Sequence, residues 1–146
     1  MHDSDQSGIE THTDDEFLLE LAAAEARRAA GRGDQPVGAV VAHRGRLVAA
    51  RGDEVVCQGD PTAHAAVLVI RDAAAALGSW RLLECVLAVT LEPCAMCAGA
   101  ALLARVPRLV IGRRDPLAGA CGSLVDLCSD PRLNHAIEVV LADVTP

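Results

Sequence analysis

The chain has 146 residues, 51% of them apolar, which fills one globular core and leaves no room for a second domain. The net charge of −7 disfavours broad attraction to phosphate backbones. With one Trp, one Phe and no Tyr, the core must be built from Ala, Val and Leu, and little aromatic surface remains for stacking bases.

Residues 1–13 read as a disordered acidic tail, with His2 and His12 as stray histidines, followed by a single domain over 14–146. The tail has neither the basic start nor the apolar stretch of a secretory signal. No run of about 18 apolar residues follows it. A cytoplasmic chain with no membrane partner is expected, and its six cysteines are then metal ligands rather than disulfides. A helix is expected over 14–30, where Phe17, Leu18, Leu21, Ala24 and Arg28 keep a 3.6-residue period and Thr13 can cap the start. Gly31 and Gly33 end it. Residues 36–42 and 47–50 form a hairpin through the turn 43–46. A loop follows over 51–61, then a helix over 62–77 stopped by Gly78. The near-continuous apolar run over 85–91 suggests a central strand buried on both faces. Pro93 opens a helix to about residue 105 as a first-turn proline would. Residues 109–112 form a strand, 113–122 a loop, 123–128 a short helical turn and 137–141 the last strand. This order predicts an α/β sandwich around a five-stranded mixed sheet. Both segments that carry chemistry sit at helix starts beside strand ends, where such sheets place ligands.

Those segments are 60–66, with His64, and 92–97, with Cys94 and Cys97. Two cysteines three apart at a helix start can aim both thiolates at one point, and the helix dipole favours their charge. His64, in the first turn of the other helix, can add an imidazole. Three such ligands leave the fourth tetrahedral position of a zinc ion open, the pattern of a catalytic site. Taken alone, Cys94-x-x-Cys97 also fits a redox pair or half of a structural zinc site. Cys121 and Cys128, six residues apart in between, complete a structural site poorly. With Cys57 and Cys85 they read as small buried or loop residues.

The combined motifs resemble the cytidine deaminase superfamily, in particular its tRNA adenosine deaminase branch and the related guanine and nucleoside deaminases. The residues that carry the resemblance are Pro36 to Val40, Gly59 to Ala65, Val89 to Ala100, Gly119 to Leu124 and Leu133-Asn134-His135. The resemblance spans roughly 17–141 and implies a three-layer α/β/α cytidine-deaminase-like sandwich. It implies Zn2+ held by His64, Cys94 and Cys97, with water attacking the amine-bearing ring carbon. It makes the Ala65 backbone and Pro93 part of the substrate pocket, and gives Glu92 a structural role. It puts a proton-carrying glutamate two residues after His64, where this chain has Ala66. Relatives also carry a base-contacting asparagine at the position of Asp53, and a carboxylate there accepts hydrogen bonds without donating them. Arg113 and Arg114 follow the fourth strand at the expected pocket mouth and could hold a phosphate or ribose, or be solvated surface. Asp115 matches an acid that contacts the nucleotide, or caps its loop. Trp80 could stack a base, but a rim or core place is favoured. Asn134 and His135 shape a turn, and His43 is an exposed hairpin residue. The basic C-terminal helix of the tRNA enzymes is not expected here, because the sequence ends at Pro146.

The expected function is hydrolytic deamination of an amino-nucleobase, with a free base or nucleoside slightly preferred as the small-molecule partner. Adenosine at the tRNA wobble position is the alternative, and tRNA a less favoured partner. A homodimer is expected from the resemblance. With the general acid/base lost at Ala66, the chain reads as a nearly inactive form of such an enzyme. The single replacement among intact motif residues has the look of a deliberate knockout. A natural base-binding pseudoenzyme is the other reading.

Overall fold

The computed structural model describes residues 3–142, with side chains from residue 15 onward. The long helix α1 (Asp3–Gly31) leads into strands β1 (Gly38–His43) and β2 (Arg46–Gly52). A one-turn helix α2 (Val55–Gln58) precedes α3 (Ala65–Leu77), strand β3 (Cys85–Val89) and helix α4 (Ala95–Leu103). Strands β4 (Arg108–Ile111) and β5 (Glu138–Leu141) complete the fold. The sheet order is β2-β1-β3-β4-β5. The β1 strand is antiparallel to both neighbours, whereas β3, β4 and β5 are parallel, so the expected five-stranded mixed sheet is present. Helix α1 begins at Asp3 rather than at residue 14, so residues 3–13, expected as a disordered tail, continue the helix and Thr13 lies inside it rather than at its cap.

The β1–β2 hairpin closes through Arg44 and Gly45, both at positive φ (53° and 81°), as a two-residue turn matched to strand twist requires. The parallel β3–β4 pair needs a crossover, which α4 supplies.

Strand alternation builds the three layers. Ala39, Val41, Leu87, Val89, Leu109 and Ile111 pack with Val69, Ile70, Ala98 and Ala101 of α3 and α4. Val40, Ala42, Ala88 and Val110 point the other way, onto Leu18, Leu19 and Ala22 of α1. The helix lies so close to the sheet that a Cβ on Gly38 would fall 1.9 Å from the Ala22 carbonyl oxygen. Only glycine fits there. Among the described residues no helix is long and apolar enough to cross a membrane.

Several elements depart from the sequence-based expectation. Helices α3 and α4 begin at Ala65 and Ala95 rather than at residues 62 and 93, so His64 and Cys94 are their N-caps. The cause at α3 is local. Asp60 accepts hydrogen bonds from the Thr62 amide and hydroxyl (2.9 and 2.8 Å), holding 60–63 in a turn before the first helical bond, Leu68 N–H to His64 O. The strand expected to reach residue 91 ends at Val89. The α2 turn, expected as loop, forms because the Asp34 carboxylate accepts the amides of Val56 and Cys57 (2.6 and 3.2 Å). The turn expected over 123–128 is not helical. The Ser123 amide is taken by Glu92, and Cys121 bridges Asp126 across a tight turn.

Candidate metal centre and substrate cavity

The N-termini of α3 and α4 meet beyond the ends of the central strands and bring three ligand atoms together. His64, Cys94 and Cys97 offer atoms that all lie within 4.8 Å of one another. His64 Nδ1 is 3.6 Å from Cys94 Sγ and 3.5 Å from Cys97 Sγ. A tetrahedral zinc ion with Zn–S of about 2.3 Å and Zn–N of about 2.0–2.1 Å would place sulfur and nitrogen about 3.6 Å apart. The three residues therefore fit zinc in donor type, number and spacing. The Cys97 thiol donates to Cys94 and holds it down at about 5, a shift the nearby His64 supports. Cys97 is pushed up, first by that same hydrogen bond and then by burial. The pair thus shares one proton, which a metal ion must displace.

The cluster opens into a cavity of about 360 Å³ lined by Asp53, Ala65, Ala66, Pro93 and Asp115 together with the three ligand residues. Ala66 is 3% exposed, so its methyl group faces packed surroundings and the cavity. Asp53 Oδ1 accepts the Ala65 amide at 2.7 Å, satisfying one of the orphan donors of α3. Burial raises the Asp53 carboxyl above its ordinary 3.8, with the Ala65 hydrogen bond opposing. Asp115 Oδ1 caps its own loop through the amides of Leu117 and Ala118 (3.1 and 3.2 Å).

Arg113 is exposed and does not line the cavity. Arg114 is drawn to the Cys121 carbonyl (2.9 Å) and towards Glu92 (3.8 Å). Trp80 is 59% exposed, carries the Arg81 guanidinium 4.8 Å over its ring, and is absent from the cavity wall. His135 bonds through Nε2 to the Val106 carbonyl (2.7 Å), Asn134 is exposed, and His43 stands 4.0 Å from Glu84. Cys85, Cys121 and Cys128 are buried and Cys57 is exposed, away from the ligand cluster.

Sequence reasoning missed Asp34, Gln35, Val55 and Ala118 in the wall. The Gly-Asp-Gln-Pro turn after α1 was the available signal for Asp34. It also understated Glu92. That carboxylate is fully buried and accepts the amides of Asp115, Cys121 and Ser123 and the Ser123 hydroxyl (3.1, 2.9, 3.1 and 2.5 Å). Burial pushes Glu92 up, and these hydrogen bonds overcome it and hold it below its ordinary 4.5. The loop that carries Asp115 and Ala118 into the wall is thus wound on one side chain.

Two zinc-binding helix starts set on a mixed five-stranded sheet define the class, and comparison with known proteins agrees. Residues 12–113 match the cytidine and deoxycytidylate deaminase zinc-binding region, and the chain belongs to that family. It is 44% identical over 128 residues to a tRNA-specific adenosine deaminase of Bacillus subtilis, covering 88% of this chain and 80% of the relative. It is 47% identical over 122 residues to a tRNA-specific adenosine deaminase of Agrobacterium fabrum, covering 84% and 80%. A solved structure from a study of A-to-I editing by tRNA:A34 deaminases superposes with a TM-score of 0.83 at 45% identity, covering 86% of this chain and 97% of that one. The guanine deaminase of Bacillus subtilis superposes with a TM-score of 0.66 at 36% identity, covering 68% and 64%. The three-layer deaminase fold expected from the sequence is therefore present.

Proposed function

We propose that this chain is a zinc-dependent hydrolytic deaminase of the tRNA adenosine branch whose turnover is suppressed at Ala66. The observation that carries the deaminase part is the His64–Cys94–Cys97 cluster at zinc spacing at the wall of a cavity. A zinc ion bound there would supply a water acidic enough to attack near neutral pH. The likeness to tRNA adenosine deaminases favours adenosine in tRNA, the alternative reading of the sequence, over the free base or nucleoside preferred there. The preference for a small molecule rests on the absent basic C-terminal helix, the acidity and Asp53. Net charge is a global quantity, and it does not decide what one cavity admits.

The carrier that must take a proton from the attacking water and return it to the ring nitrogen and departing amine has no side chain at Ala66. Such proton transfer contributes about 10²- to 10⁴-fold to rate, and one group serving several steps puts the loss at or above the top of that range. We further propose that the chain is a homodimer, a reading that rests on the family resemblance. Leu103 on α4 and Leu117 and Leu124 after β4 are exposed apolar side chains available to an interface. Light scattering at micromolar concentration should give twice the 15.2 kDa chain mass.

The deciding experiment is Ala66→Glu assayed by ammonia release. The panel is a tRNA anticodon stem-loop and the adenine, guanine and cytosine bases with their nucleosides. Release from the stem-loop supports the proposal. Release from guanine or a free nucleoside alone transfers it to the small-molecule reading, for which the guanine deaminase likeness speaks. A zinc-loaded, folded variant that releases nothing from the whole panel supports a base-binding pseudoenzyme.

A further inference from the structure

Two cysteines outside the metal cluster stand together. Cys121 and Cys128 are 3% and 1% exposed and belong to the core cluster that also holds the α3 and α4 side chains. They sit on the two limbs of a short hairpin in the segment between β4 and β5. Cys121 pairs with Asp126, the Gly122 N–H donates to the Val125 carbonyl (2.9 Å), and the Leu127 N–H donates to the Ala120 carbonyl (2.9 Å). Side chains alternate along a limb, so Cys128 shares the face of Asp126 and hence of Cys121. The Asp126 carboxylate accepts the Cys128 amide (3.0 Å) and holds that limb in a turn beside its partner.

The Cys121 thiol donates a hydrogen bond to the Cys128 sulfur, which raises Cys121 and lowers Cys128, and burial pushes Cys121 further up. Burial alone leaves a thiol inert, but a sulfur that accepts a hydrogen bond from a second thiol has thiolate character and a partner within reach. Among the described residues no third metal-ligating side chain joins the two. Cys121 Sγ lies 3.9 Å from the Pro93 carbonyl oxygen, and Pro93 lines the cavity, so the pair lies directly behind a wall that a small oxidant reaches.

We propose that Cys121 and Cys128 are a reversible disulfide-forming pair, oxidised by hydrogen peroxide to a staple across the hairpin behind the cavity wall. The Cys128 sulfur, as thiolate, attacks one peroxide oxygen. The O–O bond breaks, Cys128 becomes a sulfenic acid, and the departing hydroxide takes up the proton that the thiol gave, leaving as water. The Cys121 sulfur then displaces the sulfenic hydroxyl. The S–S bond forms, and the Cys121 proton leaves with that hydroxyl as a second water. The two thiols give up two electrons and the peroxide takes them. The proposal does not depend on what the cavity binds.

The test uses zinc-loaded Cys57→Ser protein, in which the metal ligands are occupied and the exposed cysteine is gone. It is treated with hydrogen peroxide, alkylated and cut with trypsin. Cleavage after Arg114 and Arg132 releases residues 115–132, which contain Cys121 and Cys128 and no other cysteine. That peptide should lose two hydrogens in mass and resist alkylation, and dithiothreitol should reverse both. Oxidised protein should melt at least about 5 °C above the reduced form, because the cross-link removes freedom from the unfolded chain. In Cys128→Ala protein peroxide should produce neither the mass loss nor the rise in Tm, and Cys121→Ala serves if that variant does not fold. Peptide 115–132 that is alkylated at both cysteines after peroxide, or that gains oxygen without losing hydrogen, overturns the proposal. So does a disulfide that leaves Tm unmoved, since it is then no staple.

Discussion

Glu92 Oε2 accepts the backbone N–H of Cys121 at 2.9 Å across 29 residues of sequence. Through this and three companion bonds, the residue two before a metal ligand fixes the loop that supplies Asp115 and Ala118 to the cavity wall. Replacing Glu92 by Gln turns an acceptor-only group into one that must present N–H to donors. Glu92→Gln should cost about 3 kcal/mol of unfolding free energy in urea titrations. The sign with pH follows from the lowered carboxyl. The Glu92 contribution is complete above the ordinary 4.5 and is lost as pH falls through the lower folded value. The gap between native and Glu92→Gln protein should therefore narrow in acid.

Gly119 lies against the same carboxylate. An added Cβ would sit 2.4 Å from the Glu92 carboxyl carbon and 2.6 Å from the Asp115 carbonyl oxygen. Neither neighbour can yield, because Asp115 belongs to the loop and the Glu92 carboxylate holds it by four hydrogen bonds. Gly119→Ala should destabilise by about 1–3 kcal/mol and weaken adenosine binding, read by thermal unfolding and calorimetry. Gly99→Ala, inside α4 with nothing within 4 Å, should leave adenosine binding unchanged and stabilise the fold by roughly 0.5–1 kcal/mol.

Asp53 carries the opposite sign. Its carboxyl is raised by burial, so ionisation opposes folding as pH climbs from the ordinary 3.8 through the raised folded value. Asp53→Asn, which keeps the Ala65 cap, should be as stable as the native chain or more stable at pH 7, with the difference shrinking in acid. Asp53→Ala leaves the Ala65 N–H buried without its partner and should lose about 1–3 kcal/mol. Urea titrations of the three proteins at two pH values check both statements.

Zinc should bind one per chain and stabilise the fold, by about 2.7 kcal/mol when free metal stands at 100 times Kd. Chelator treatment should lower Tm by several degrees, and Cys94→Ser should abolish the difference between metal-loaded and stripped protein. Binding should release protons, seen as a buffer-dependent calorimetric heat, because the shared Cys94–Cys97 proton must leave. Protein purified without chelator that holds no zinc would contradict this.

The sequence by itself determined the elements whose signal is short in range. Cys94 and Cys97 share a helix start because a three-residue spacing nearly completes a helical turn. The apolar run of β3 placed that strand at the centre of the sheet, since two-sided burial leaves a direct mark. Gly78, at φ 66°, ends α3 where a left-handed residue was required. Tertiary structure decided what depends on partners far along the chain. It brought His64 within 3.6 Å of cysteines 30 and 33 residues away, seated Asp53 on the Ala65 amide and wound the loop after β4 on Glu92. It also left Arg113 and Trp80 out of the cavity wall, although each was a reasonable candidate from sequence. Local spacing reports dihedral preference and burial, whereas the direction of a side chain in a loop is set by which distant amide or carboxylate needs a partner. That need arises only when the sheet has brought the helix ends together.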